Sequence, residues 1–153
     1  MGGVTLVEVH LLGMPLRLHQ ETVEHSAEVL REFSHVSEGP DRSHAPSRLI
    51  SLDQELSGRY AAFTQASNAE LDEAMERGDE SIDLVFTVPP DAGEAARQMD
   101  DLWDEVDRYC EQGEYLLTLK TPPGPLAYRK WFLREFWRQI AGHGPTSWPD
   151  YAQ

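Results

Sequence analysis

The sequence predicts an α/β fold: a small three-stranded sheet with about five helices, the second and third strands parallel. Two observations carry this. Short stretches alternate apolar and polar residues with a period of two, as half-buried strands do. Three times, at Pro15, at Pro89-Pro90 and at Pro122-Pro123, such a β-run meets proline and turns into a helix. Proline has no N–H for a strand ladder, and its fixed φ suits the first turn of a helix. The junctions read either as an internal repeat or as the strand–turn–helix joints any α/β chain needs. The helices share little residue identity, which favours the second. A length of 153 residues fits one domain, taken as 1–142, with 143–153 as a C-terminal tail.

The first strand is Val4 to Leu12, with Val7, Val9 and Leu11 alternating against Glu8 and His10, and Gly13-Met14-Pro15 stops it. A helix from about Arg17 to His35 follows, with Val23, Ala27, Leu30 and Phe33 as its apolar stripe. Ser37 to Pro46 is a loop by composition and is expected to be mobile. After Pro46, the residues Leu49, Leu52, Leu56, Tyr60 and Phe63 keep helical spacing. Ser67-Asn68-Ala69-Glu70 reads as a capping box opening a short third helix, closed by Arg77-Gly78.

The second strand is Ile82 to Val88, with Ile82, Leu84, Phe86 and Val88 on one face. The fourth helix places Ala95, Met99, Leu102, Trp103, Val106 and Cys110 on one side and Asp100, Asp104, Asp107 and Glu111 on another; Gln112-Gly113 ends it. The third strand is Tyr115 to Lys120. The last helix runs from about Leu126 to Ala141, and Gly142-His143-Gly144-Pro145 terminates it. The second and third strands are expected to be parallel, joined by a right-handed crossover.

Composition narrows function. The net charge is −14, a field that repels phosphate backbones and anionic lipid, so neither nucleic acid nor a membrane surface is an expected partner. The single cysteine, Cys110, forbids an intrachain disulfide and suits a reducing cytosol. The N-terminus lacks a basic n-region, Leu6 stands where a myristoylation pattern wants Ser or Thr, and no apolar run is long enough to span a bilayer. A cytoplasmic protein is expected.

Catalytic and cofactor patterns are sparse. No Gly-rich dinucleotide or phosphate loop occurs, and the strand ends carry prolines where open sheets bind ligands. Asp91 sits where an anion would use a helix N-terminus. Glu21, His25, Glu28 and Glu32 share a face of the first helix, with His19 and His35 nearby. Such a face can chelate a divalent ion, but acidic helix faces are ordinarily just solvated. Cys110 lies on an apolar face and reads as a buried small hydrophobe. No catalytic residue, metal or cofactor is assigned.

Charge is unevenly distributed. Residues 1–112 hold 8 basic and 24 acidic side chains, and residues 113–153 hold 5 and 3. The five basic residues fall between Lys120 and Arg138. Lys130, Arg134 and Arg138 form one helical stripe, bordered by Trp131 and Trp137, while Phe132, Leu133, Phe136 and Ile140 point inward. Two readings compete. In one, the stripe lies against the protein's own Asp100–Asp104–Asp107 face. In the other, Lys130, Trp131, Arg134, Trp137 and Arg138 form a docking patch for a protein partner, since Arg and Trp are enriched at interface hot spots. Arg129 falls among apolar positions and is expected to pair with a carboxylate.

Val9-His10-Leu11-Leu12-Gly13-Met14-Pro15-Leu16-Arg17-Leu18 with Arg31-Glu32-Phe33 resembles the opening of a group of small, largely uncharacterised actinobacterial proteins. Glu114 to Leu119, Pro122-Pro123 and Tyr128 to Phe136 resemble their closing segment. The resemblance implies a neighbourhood of anti-sigma-factor kinases and STAS-domain antagonists, the parts of partner-switching stress signalling. It implies no catalytic residues, and the chain lacks the ATP-site motifs of the kinases. The expected function is therefore a non-enzymatic regulatory or adaptor protein acting through protein contacts, with self-association left open. The alternative is a small-molecule or metal-binding sensor, or an enzyme of unassigned type.

Overall fold

The chain runs β1 (Val7–Pro15), α1 (Leu16–Val36), α2 (Ala45–Arg77), β2 (Ser81–Val88), α3 (Ala92–Gln112), α4 (Pro123–Ile140) and α5 (Trp148–Tyr151). This is a computed structural model. It describes residues 5–36, 45–112 and 120–152, with the side chains of 33–36 and 45–47 left aside.

The sheet corrects the expected topology. Among the described residues it has two strands, β1 and β2, and they are antiparallel. The expected third strand lies outside the described residues save for Lys120, which sits in a bend. Among the described residues the sheet is two-stranded and antiparallel, not three-stranded with parallel second and third strands, and its outer edges carry side-chain partners. His10 and Val85 face each other across the ribbon. On the outer edge of β1, the His10 N–H donates to Gln139 Oε1 at 2.8 Å, and Gln139 Nε2 donates back to the His10 carbonyl at 2.9 Å. On the outer edge of β2, Ser67 Oγ donates to the Val85 carbonyl at 2.6 Å. Side chains from α4 and α2 thus satisfy groups that another strand would need.

Within the ribbon the alternation is as expected. Val9 and Leu11 of β1 and Leu84, Phe86 and Val88 of β2 are buried, while Asp83, Val85 and Thr87 face out. Gly13-Met14-Pro15 does not stop β1. One extra residue enters between Leu11 and Met14, so Leu11 pairs Leu84 and Met14 pairs Ile82. The bulge flips the parity and sends Met14 inward, where it is fully buried. Gly13 takes the left-handed conformation there, φ +67°, and its N–H donates to Asp83 Oδ1 at 2.8 Å.

Residues 45–77 form one helix of 33 residues rather than two. Tyr60 to Ala66 contain no glycine or proline to break it, and Ser67 bonds to β2 instead of capping Glu70. The helix does end where the sequence indicates. Gly78 has φ +77°, its N–H bonds to the Met75 carbonyl, and the Asp79 N–H bonds to the Ala74 carbonyl. On α1 the expected stripe is misplaced. Val29 is fully buried, whereas Val23 and Ala27 are exposed.

α3 is as read: Leu102, Trp103, Val106 and Cys110 are buried. Two cores result. The larger joins the sheet to the C-terminal half of α2, the start of α3, and α4. The smaller gathers Val29, Leu49, Leu102, Trp103, Val106 and Cys110 at the far end of α3. The segment expected as a tail folds back: Trp148 stacks edge-on against Trp131 at 5.6 Å and against Tyr128 at 6.0 Å.

Candidate functional site

α4 decides the site. Tyr128, Trp131, Glu135 and Gln139, spaced by three and four residues, form its inward face and are all buried. Trp131 therefore does not belong to a surface patch, contrary to the sequence expectation. It is fully buried, and its indole N–H donates to the Thr146 carbonyl at 2.8 Å.

The next side of α4 faces the acidic side of α3. Asp100, Asp104 and Asp107 follow one another by four and three residues, so they line one helix face. Arg129 inserts its guanidinium among them, 3.5 Å from Asp100, 2.7 Å from Asp104 and 3.4 Å from Asp107. Its ring-side neighbour is Trp103, at 5.9 Å. Asp107 Oδ1 also accepts from the N–H and the hydroxyl of Thr121. Lys130 pairs with Asp104 and, at 3.2 Å, with Asp100. Burial raises the Asp100 pKa, against the opposing pull of Lys130 and Arg129.

The reading in which the basic residues answer the protein's own acids therefore holds for Arg129 and Lys130. It also holds for Lys120, which pairs with Glu111. Arg138 pairs with Glu135 at 2.8 Å and also donates to Thr146 Oγ1. Arg134 differs: it is exposed and has no ion pair or hydrogen bond among the described residues.

Arg134 opens onto a groove of about 640 Å³ between α3, α4 and the C-terminal segment. Four of the five expected docking residues are there: Lys130, Arg134, Trp137 and Arg138. Three residues that sequence reading passed over join them. Arg97 of α3 is exposed, makes no described ion pair, and stacks its guanidinium over the Trp137 ring at 5.4 Å. His143 and Tyr151 come from the C-terminal segment. The one carboxylate in the lining, Asp100, is already engaged by Lys130 and Arg129. The groove thus presents two uncommitted guanidinium forks beside an indole face, suited to carboxylates next to an apolar or aromatic group.

Other candidates carry less. Among the described residues, no three His, Cys, Asp or Glu side chains gather to hold a metal ion, so the acidic face of α1 with His25 does not close into a site. Cys110 is a buried free thiol whose pKa is pushed up to about 11, chiefly by burial and secondarily by Asp107. His19 Nδ1 lies 2.7 Å from the Tyr128 hydroxyl, and burial lowers the His19 pKa. Among the described residues, no helix is long and apolar enough to cross a membrane.

Comparison with protein-family profiles, curated proteins and solved structures finds no match to the chain.

Proposed function

We propose that this protein is a non-enzymatic binding module that captures an acidic segment of a protein partner in the groove between α3, α4 and the C-terminal segment. One observation carries the reading. A chain of net charge −14 holds Arg97 and Arg134 exposed and without an ion pair among the described residues, in one groove with Trp137. The neighbouring cations of α4 are neutralised internally. An Arg–Trp–Arg surface has the composition of an interface hot spot, and a local basic patch on an acidic body selects partners by charge. The lining offers charge, hydrogen-bond donors and an aromatic face. The same charge balance argues against nucleic acid and anionic membranes as partners. The lone buried cysteine suits the cytoplasm. The resemblance to actinobacterial proteins near partner-switching regulators agrees with a regulatory role in stress signalling.

The test is Arg97→Glu combined with Arg134→Glu, compared with wild type in a quantitative pull-down from native lysate. Neither side chain holds a described ion pair, so the thermal midpoint should stay within roughly 2–4 °C. Retention of acidic partners should fall about tenfold or more. Arg138→Glu is a poorer probe, because it would set a second carboxylate against the buried Glu135. If the double variant retains the same proteins in the same amounts, this groove is not the capture site.

A further inference from the structure

A second hollow, of about 270 Å³, lies between α2, α3 and α4, on a different lining from the basic groove. One face of α2 supplies Asp53, Ser57 and Tyr60 to it, spaced by four and three residues. Its floor is apolar, made by Met99 of α3 and Phe132, Leu133 and Phe136 of α4. The room exists because α3 opposes α2 with Ala92, Ala95 and Ala96, side chains too short to fill the space.

Two of the four polar side chains in this hollow are committed. The Tyr60 hydroxyl donates to Asp91 at 2.9 Å, and Thr64 Oγ1 donates to the Tyr60 carbonyl at 3.2 Å. Of the other two, Ser57 and Asp53, only Asp53 is charged. It is half-buried, and among the described residues it has neither ion pair nor hydrogen bond. Burial alone raises its pKa, as befits a carboxylate that lacks a counter-charge. The surroundings do not supply one. Arg59, on the next turn, is shared between Glu55 at 3.4 Å and the Tyr60 ring. Asp91 adds a further negative charge at the Tyr60 end.

An apolar chamber with one unanswered carboxylate is complementary to a hydrophobic cation. We propose that this hollow is a binding site for a small organic amine, its ammonium on Asp53 and its apolar body against Phe132, Phe136 and Met99. The volume limits the ligand to about one ring with a short arm, smaller than a drug-sized molecule. A peptide does not fit, and an anion meets Asp53 and Asp91 together. The proposal is independent of the basic groove.

The test uses three probes with the same ring on the full chain at neutral pH: phenethylamine, phenethyl alcohol and phenylacetate. Calorimetry or ligand-observed NMR should rank the amine about tenfold or more above the alcohol, with phenylacetate weakest. Asp53→Asn should erase the preference for the amine over the alcohol. Ala96→Leu should fill the chamber and abolish binding of both. Absence of phenethylamine binding at about 10 mM would overturn the proposal, given the affinity a ligand of that size can reach. So would an unchanged preference in Asp53→Asn, a partly exposed position whose substitution leaves the core intact.

Discussion

Arg129→Met should lower folding stability by about 3–5 kcal/mol, the usual cost of removing one member of a buried charge network. For a domain of this size the thermal midpoint should drop by roughly 6–20 °C. The cause is not lost apolar area, since Met restores most of the stem. Among the described residues Arg129 is the one cation that touches Asp100, Asp104 and Asp107 together, and Asp100 and Asp107 are themselves buried. Without it, among the described residues, Asp107 keeps the two donors of Thr121 and Asp100 keeps Lys130.

The pH dependence separates this from a packing defect. Burial already holds the folded-state pKa of Asp100 above the unfolded value of about 3.9, and removing the guanidinium raises it further. The native state of the variant then binds more protons than the unfolded state between those two values. Stability is lost as pH rises through the raised pKa and recovered as pH falls toward 4. Denaturant titrations of wild type and variant at a series of pH values should therefore converge on the acid side. A gap that stays constant with pH would mean that the loss is steric.

Glu135→Ala should cost about 3 kcal/mol and release the C-terminal segment. Glu135 is buried on α4 and works as a clasp. Its Oε1 accepts from the Thr146 N–H at 2.7 Å and from Gln139 Nε2 at 3.0 Å, and its Oε2 accepts from Arg138 at 2.8 Å. Gln139 in turn closes the outer edge of β1. One carboxylate thus links helix, sheet edge and C-terminal segment. Its loss strands a backbone N–H and a partly buried guanidinium. Limited proteolysis should show new cleavage after Ala141 before any cut elsewhere, and partner capture should fall as well, because His143, Tyr151 and Arg138 line the groove from this region. Simultaneous cleavage along the whole chain would mean that the clasp is not local.

Much of the local structure was legible. The alternation of β2, the buried stripe of α3 and the glycine that ends α2 follow from nearest-neighbour physics, and each forms as read. The errors arise where distant residues intervene. Nothing near His10 announces that Gln139, 129 residues away, will satisfy its backbone, yet that bond and Ser67 on Val85 take up edge groups of the ribbon, which has two strands among the described residues. The same Ser67 looked like a helix cap because a cap and a sheet-edge donor use the same hydroxyl. Val23 and Ala27 looked like core because they are apolar at helical spacing, but they border a surface hollow with Leu30 and Trp103.

The candidate site was half legible for the same reason. The spacing of Lys130, Arg134 and Arg138 puts them on one stripe, but only packing shows that Lys130 and Arg138 are neutralised and Arg134 is not. Trp131 borders that stripe on a helical wheel, yet its indole finds Thr146 inside. Arg97 escaped notice because its role depends on the approach of α3 to α4, which sets it over Trp137.

The claim that the groove is the docking surface is tested most directly by site-specific photo-cross-linking. A photoreactive residue at Ala141, which lines the groove, should cross-link to a partner peptide rich in Asp and Glu. The same residue at Glu28, exposed on α1 and outside the groove lining, should give little or none. Equal yields at the two positions, or cross-linked peptides with no acidic bias, would contradict it.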